Sequence, residues 1–266
     1  MANTHKYALI TGATSGIGYE LAKLFAKDQY NLILVARDQS QLDLKANEFR
    51  ATGVEVRTLA KDLFDREQTF SIYEEVKKLG VEVEVLVNDA GQGVYGEFKD
   101  TELQRELDII ELNISSVVIL TKAFLKDMLV RQSGKILNLA SIASKAPGPW
   151  QSVYHGTKAF VLSFSEAIRE ELKDTGVTVT ALLPGATDTD FFNKADMNQS
   201  KIVQEEDLDD AVKVAEDGYE ALMSGKDKVI SGLKNKIKVG MTNIMTDSAA
   251  AHTMGEQQKP QNEEKS

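Results

Sequence analysis

The chain has 266 residues, 42% of them hydrophobic and 27% charged, the balance of one large folded domain and not of a disordered or membrane-embedded protein. Its 31 Lys and Arg against 41 Asp and Glu give a formal net charge of -10, which disfavours phosphate backbones, so no nucleic-acid partner is expected. The absence of cysteine excludes disulfides, thiolate-bound zinc and thiol nucleophiles, and three scattered histidines in no His-Glu-x-x-His arrangement predict no metal site.

Taken in chain order, short apolar runs rich in β-branched residues alternate with segments of helical period. YALIT (7–11), NLILVAR (31–37), VEVRTLA (54–60), VEVLVN (83–88), GKILNLAS (134–141), GVTVTALLP (176–184) and DKVISG (227–232) are the predicted strands. Between them lie stretches such as GYELAKLFAKD and DREQTFSIYEEVKKLG, whose apolar residues recur at three and four positions. Near-continuous apolar strands are those buried on both faces, and parallel strands need helical crossovers, so the pattern predicts a doubly wound α/β sheet with helices on both faces. One domain is expected over 1–256, with a mobile polar tail over 257–266. The segment SGLKNKIKVGMTNIM (231–245) is basic and moderately apolar; it is expected to pack on the domain or on another subunit, the alternative being a membrane-surface helix. The N-terminus carries no signal-peptide pattern and no stretch reaches the ~18 apolar residues of a membrane span, which predicts a cytoplasmic protein with no membrane span.

After the first strand comes TGATSGIG, with Gly12, Gly16 and Gly18, leading directly into a helix. Such a loop brings backbone N–H groups against a pyrophosphate at a helix N-terminus, and glycine permits both the turn and the close approach. Tyr154 and Lys158 in YHGTK stand four positions apart, one helical turn. The same spacing joins Tyr19 to Lys23, Tyr73 to Lys77 and Tyr95 to Lys99, so spacing alone selects none. Only Tyr154 has a serine thirteen residues before it, Ser141, directly after a strand, and ligands of open α/β sheets bind at the carboxyl ends of strands.

The ordered set Thr-Gly-x-x-x-Gly-Ile-Gly, Asp62-Leu63, NDAG, Asn113, Ser141, Tyr154-x-x-x-Lys158 and PGATDT resembles the short-chain dehydrogenase/reductase family over roughly the first 190 residues. The resemblance implies a Rossmann-type parallel sheet of about seven strands and a catalytic set of Asn113, Ser141, Tyr154 and Lys158. It implies a nicotinamide dinucleotide held by Gly12, Thr14, Ser15, Gly16, Ile17, Gly18, Arg37, Asp62, Leu63, Asn88, Ala90, Gly91, Tyr154, Lys158, Thr187 and Thr189. The second strand ends in LVARD, with Ala36 where members that prefer NAD usually carry Asp, and Arg37 beside it, so NADP(H) is the expected cofactor and NAD(H) the alternative. Asp89 stands where family members commonly have a second Asn, and an ionised carboxylate cannot donate hydrogen bonds.

The implied reaction is hydride exchange between cofactor and a carbonyl or secondary alcohol, with Tyr154 as general acid/base. A free tyrosine has a pKa near ~10, so a neighbouring ammonium, that of Lys158, would favour its phenolate, and lowering to neutrality asks roughly 4 kcal/mol. Trp150, Phe191, Phe192 and Met197, in the segments after Ser141 and after the Pro-Gly, suggest an apolar wall, with Trp150 and Phe191 joining Ser141 and Tyr154 as substrate contacts. The resemblance further implies a homodimer or homotetramer through the helices at ELQRELDIIELNISSVVILTKAFLKDML and YHGTKAFVLSFSEAIREEL. Two other readings remain open on sequence: a sensor or scaffold that binds NADP without turnover, and a nucleotide-sugar epimerase or dehydratase.

Overall fold

The computed structural model describes residues 6–205 and 207–261. Seven strands form one parallel sheet in the order β3-β2-β1-β4-β5-β6-β7, the strands being β1 (Lys6–Thr11), β2 (Asn31–Ala36), β3 (Val56–Ala60), β4 (Glu82–Asn88), β5 (Gly134–Leu139), β6 (Val177–Leu183) and β7 (Lys228–Ile230). All seven predicted strands are present. The central ones are buried almost end to end because helices cover both faces, and alternate residues face opposite layers. Ala8 and Ile10 of β1 pack toward α1 (Gly16–Lys27), α2 (Gln39–Arg50) and α9 (Ala211–Met223), with Phe25, Leu42, Phe49 and Val214. Tyr7 and Leu9 point the other way, into a layer with Ile72 of α3 (Arg66–Leu79) and Phe124 and Met128 of α5 (Ser116–Arg131).

Local chemistry sets the helix boundaries. Asp38 and Asp65 turn their carboxylates back on the first amides of α2 and α3, accepting from Gln41 N and from Glu67 and Gln68 N. Gly80 closes α3 in the left-handed region, at φ 66°. One helix departs from the expected regular pattern: between α4 (Leu103–Ile110) and α5, residues Glu111–Ser115 form a π-turn, a wide turn that carries Asn113. α6 (Ser152–Glu171) lies on β6, with Val161 and Leu162 against Ala181 and Leu183.

Beyond the sheet core, the short helices α7 (Phe191–Lys194) and α8 (Lys201–Glu205) precede α9, and α10 (Leu233–Thr242) and α11 (Asp247–Gln258) follow β7. Residues 258, 259 and 261 of the expected tail are bonded to the domain. Gln258 is buried, its backbone carbonyl accepts the Tyr95 hydroxyl at 2.6 Å, and its side chain meets His155 Nε2 at 3.0 Å. The Lys259 carbonyl accepts from Lys201 N and Gln261 N donates to Gln199, both at 3.0 Å. These residues lack large apolar groups, yet hydrogen bonds from their backbones and from the Gln258 amide nitrogen hold them in place. Residues 262–266 of the expected tail lie outside the described residues.

Phe25 is fully buried between α9 and the sheet, its ring 4.9 Å from that of Tyr219 and 5.4 Å from that of Tyr30. Phe25→Ala is expected to lower the unfolding free energy by about 3–5 kcal/mol, read from the urea midpoint; a loss under about 1 kcal/mol would mean that α9 closes over the gap.

Candidate active site

β1 lies between β2 and β4, and the crossovers diverge there, leaving a crevice at the carboxyl ends of the strands. The loop from β1 into α1 fills its floor. Gly12 and Gly16 hold φ of 70° and 56°, and the Ser15 side chain makes no capping bond, so the amides of Gly16 and Ile17 at the start of α1 are left for an anion. Thr14 is half-buried and Ser15 exposed at the rim, while Ile17 is buried beneath. At Gly18 a β-carbon would come within 2.6 Å of the Gly12 carbonyl and 2.5 Å of Asp89 Oδ2. Here glycine is required by close approach.

Asp89 answers the question its substitution raised. Its backbone N–H and that of Ala90 donate to Thr11 Oγ1, at 3.1 and 3.0 Å, and its carboxylate accepts the Gly18 amide, bracing the glycine loop as an acceptor. Burial pushes its carboxyl up to about 7, with the Lys158 ammonium and the Gly18 amide pulling the other way. Asn88 is a correction to the expected cofactor contacts. Its side-chain amide donates to Thr121 Oγ1 (3.1 Å) and Asn138 Oδ1 (2.8 Å), so it ties β4 to its neighbours inside the protein and does not face the crevice. Ala90 and Gly91, by contrast, border it.

At the outer end of the crevice, Arg37 follows β2 with its guanidinium 5.2 Å from the centroid of the Phe64 ring, while the neighbouring Asp38 is engaged in capping α2. Asp62 accepts from Phe64 N at 3.1 Å and Leu63 is buried beside it after β3. Across the crevice, Thr187 and Thr189 border the cavity, and Thr189 Cγ2 sits where a Gly16 side chain would be.

Ser141 lies just beyond β5 and caps the short 3-10 turn Ile142–Lys145, its Oγ accepting Ala143 N at 3.1 Å. Tyr154 and Lys158 rise from the first turns of α6 on the same side of the crevice, Lys158 Nζ lying 5.9 Å from the centroid of the tyrosine ring. The Lys158 side chain is buried and donates to the Leu139 carbonyl at 2.7 Å. A β-carbon on Gly91 would lie 3.3 Å from Lys158 Nζ and 3.4 Å from Asn113 Oδ1, so Asn113 and Lys158 converge on one glycine. Asn113 is held by Gln92 N and O (3.0 and 2.9 Å) and donates to Thr157 Oγ1 at 3.0 Å. The π-turn is what swings it inward.

Burial pulls the Lys158 ammonium down to about 8, partly offset by the Asp89 carboxylate. Burial also pushes the Tyr154 phenol up to about 12, against the lowering effect of the Ser141 hydroxyl. Among the protein's own groups, burial thus prevails at Tyr154 and favours the protonated phenol. Desolvation of the phenolate outweighs every favourable contact, and the tyrosine is held as a protonated acid.

The remaining three Tyr–Lys pairs are spent elsewhere. Tyr19 donates to Glu48, Tyr73 and Lys77 both meet Asp127, and Lys99 pairs with Glu97 and Asp100. Trp150 is a second correction: it stacks on Tyr95 with ring centroids 5.7 Å apart and does not border the cavity. Phe191 does, 5.2 Å from the Tyr154 ring, together with Phe192 and Met197. The cavity, about 420 Å³, is closed by residues that sequence reasoning did not single out, chiefly Gln151 and His155 of the α6 start and Met245 and Met254 near α10 and α11. His155 donates from Nδ1 to the Ala146 carbonyl at 2.8 Å and accepts Gln258 at Nε2, and burial lowers its pKa, so it is a neutral clamp between α6 and α11. No local sequence signal marks that pairing across 103 positions.

A glycine cradle at a helix start, opposite a half-buried tyrosine flanked by buried Ser141, Lys158 and Asn113, is the site of a nicotinamide-nucleotide oxidoreductase, and the comparisons agree. The short chain dehydrogenase model matches residues 6–200, and the chain belongs to that family. It is 32% identical over 182 residues to the ketoacyl reductase HetN of Nostoc sp., covering 68% of this chain and 63% of that protein. It is 37% identical over 182 residues to a very-long-chain 3-oxoacyl-CoA reductase of Mycosarcoma maydis, covering 66% of this chain and only 51% of that one. A solved short-chain dehydrogenase from Sphingobium yanoikuyae, in complex with NADPH, superposes with a TM-score of 0.80 at 28% identity over 93% of this chain and 99% of its own. The residues present fit a nicotinamide dinucleotide: three glycines keep side chains out of the cradle and the Asp89 carboxylate holds the loop from behind.

Gly18→Ala is expected to destabilise the fold by about 1–3 kcal/mol, read from the urea midpoint, because the new methyl has backbone on one side and a buried carboxylate on the other. An unchanged midpoint would show that the loop gives way freely.

Proposed function

We propose that this protein is an NADP(H)-dependent oxidoreductase that reduces a ketone to a secondary alcohol, reversibly, with Tyr154 as the general acid/base. The observation that carries the reading is the gathering of Ser141, Tyr154 and Lys158 on a cavity that the glycine loop also lines, with Asn113 buried beside Lys158 at Gly91. When bound, the dinucleotide supplies or accepts the hydride. Everything else falls to the chain. Tyr154, with its pKa near 12, carries the proton that a carbonyl oxygen must gain on reduction. Ser141 Oγ, beside that phenol, donates to the same oxygen as charge develops on it. Lys158 holds a positive charge below about pH 8 at the base of the tyrosine, and its family role is to grip the nicotinamide ribose. Asn113, fixed by Gln92 and Thr157, supports the path by which Tyr154 regains its proton.

Arg37 and the absence of a carboxylate at Ala36 support NADP(H), with Arg37 available to a 2′-phosphate. Phe191, Met197, Met245 and Met254 give an adaptable apolar lining that suits a ketone with a large apolar substituent, in keeping with the ketoacyl compounds named for two of the relatives. Self-association is assigned to the α4–α5 and α6 surfaces, where Leu103, Leu107 and Phe160 are exposed, and the working compartment to the cytoplasm.

Tyr154→Phe is expected to bind cofactor as the wild type does and to lose turnover by about 100- to 10,000-fold; near-normal rates would remove Tyr154 from the chemistry. In parallel fluorescence titrations NADPH should bind more tightly than NADH, and Arg37→Ala should weaken NADPH by about ten- to a hundredfold while leaving NADH unchanged. Equal weakening of both would refute the 2′-phosphate assignment. In a pH profile of kcat/KM for reduction, Asp89→Asn should move the basic limb to lower pH. The carboxylate favours the Lys158 ammonium, and without it the charge is lost earlier as pH rises. A limb that stays or moves upward would show that Lys158 does not set it.

A further inference from the structure

Gln151 carries a buried donor nitrogen that no group in the protein answers. It is the N-cap residue of α6 and 4% exposed; its carbonyl accepts His155 N at 3.0 Å, while its side chain makes no capping bond. That side chain lines the cavity, and its Nε2 is buried with no hydrogen-bond partner. Burying an amide N–H without an acceptor costs stability, and folded proteins keep few such groups. The other unanswered buried atoms on the described cavity lining, Asp89 Oδ1 and Gln258 Oε1, are acceptors on side chains bonded elsewhere. A β-carbon on Gly93 would lie 3.0 Å from Gln151 Nε2, 2.9 Å from Phe191 Cζ and 3.6 Å from Ala195 Cβ, so apolar groups surround the nitrogen on that side. The same Phe191 ring stands 5.2 Å from that of Tyr154, three positions after Gln151. The unanswered amide and the tyrosine therefore border one cavity, with one aromatic ring beside both.

We propose that Gln151 is a specificity-determining residue whose Nε2 donates to a second oxygen of the substrate, carried beside the ketone that Tyr154 protonates. The inference rests on the ketone-reduction reading above and narrows its substrate class to ketones that bear a neutral acceptor, as a 3-oxo ester or thioester does. Neutrality follows from the neighbours: Gly93, Phe191 and Ala195 offer no cation, and a carboxylate placed there would be buried unpaired. Side chains three positions apart at a helix start stand about 5–6 Å apart at their β-carbons, a spacing that a ketone and an acceptor close to it on the same chain bridge. A substrate with the second oxygen gives the N–H its missing partner, and a plain ketone leaves it unanswered, so the two are told apart by a hydrogen bond rather than by size.

The test compares ethyl 3-oxohexanoate with nonan-4-one, the same chain without the ester oxygens, as substrates with NADPH. Gln151→Met keeps the length of the side chain and removes the donor; Gln151→Glu keeps its outline and puts an acceptor in the donor's place. The ester also makes the ketone more electrophilic, so the quantity read is the change in the ratio of the two kcat/KM values. Both variants should lower the ratio of ester to plain ketone about ten- to a hundredfold. In the Tyr154→Phe background, adding Gln151→Met should weaken binding of the ester to the NADPH complex about tenfold, which reads the contact apart from the chemistry. Gln151→Met should unfold at no lower temperature than the wild type, since it removes a donor that has no partner. An unchanged ratio, an equal loss for both ketones, or unchanged binding in the Tyr154→Phe background would each overturn the proposal. So would a lower unfolding temperature, which would show that the amide serves the fold by pairing in solution with an acceptor such as Gln258 Oε1. Failure of the wild type to reduce either ketone, with the expected binding difference, would strike the reductase reading and leave the Gln151 contact standing.

Discussion

A buried ammonium is the constraint around which this site is arranged. Lys158 is 4% exposed, and an unpaired charge at that depth would be neutralised or would expel its element from the core. The protein answers with a hydrogen bond to the Leu139 carbonyl at the end of β5, which ties that strand to α6, and with the negative charge of Asp89 just after β4. The ammonium and Asn113 Oδ1 both crowd Gly91, where a β-carbon would lie 3.3 and 3.4 Å from them. Tyr154, one turn earlier on α6, inherits its place from the same anchor.

Asp89 links that anchor to the glycine loop. The same carboxylate faces Lys158 and accepts the Gly18 amide, so the cofactor cradle and the catalytic group share one support. An asparagine there could mimic the hydrogen bond and not the charge. The parallel sheet makes this economy available, because its switch point between β1 and β4 gathers loop and strand ends within a few ångströms.

The sheet was legible in the sequence because strands covered on both faces are apolar nearly throughout, a condition that the central runs meet and the edge runs at β3 and β7 meet only in part. The Tyr154-Lys158 pair was legible through Ser141, a relation of residues to strand ends. What stayed hidden was set by partners distant in the chain. Asn88 reads like a ligand in NDAG until Asn138 and Thr121 claim its amide. Trp150 reads like a pocket wall until Tyr95 stacks on it. The π-turn at Asn113 leaves no mark in the apolar period, and the polar residues up to Gln261 look mobile until His155, Gln199 and Lys201 supply their bonds. Leu233, Ile237 and Met241 of α10 read like a core-facing set until Val239 and Asn235 are seen to be the inner ones.

The clasp between His155 and Gln258 joins the helix bearing Tyr154 to nearly the last part of the chain. Chains emerge from the ribosome N-terminus first and begin folding as they emerge. Strands β1 to β6 and the whole Ser-Tyr-Lys-Asn group can therefore assemble while the cavity still lacks its wall of α10 and α11. The nascent protein holds its chemical groups before it holds the enclosure that excludes water from them, and synthesis of the final helix is the step that completes the chamber.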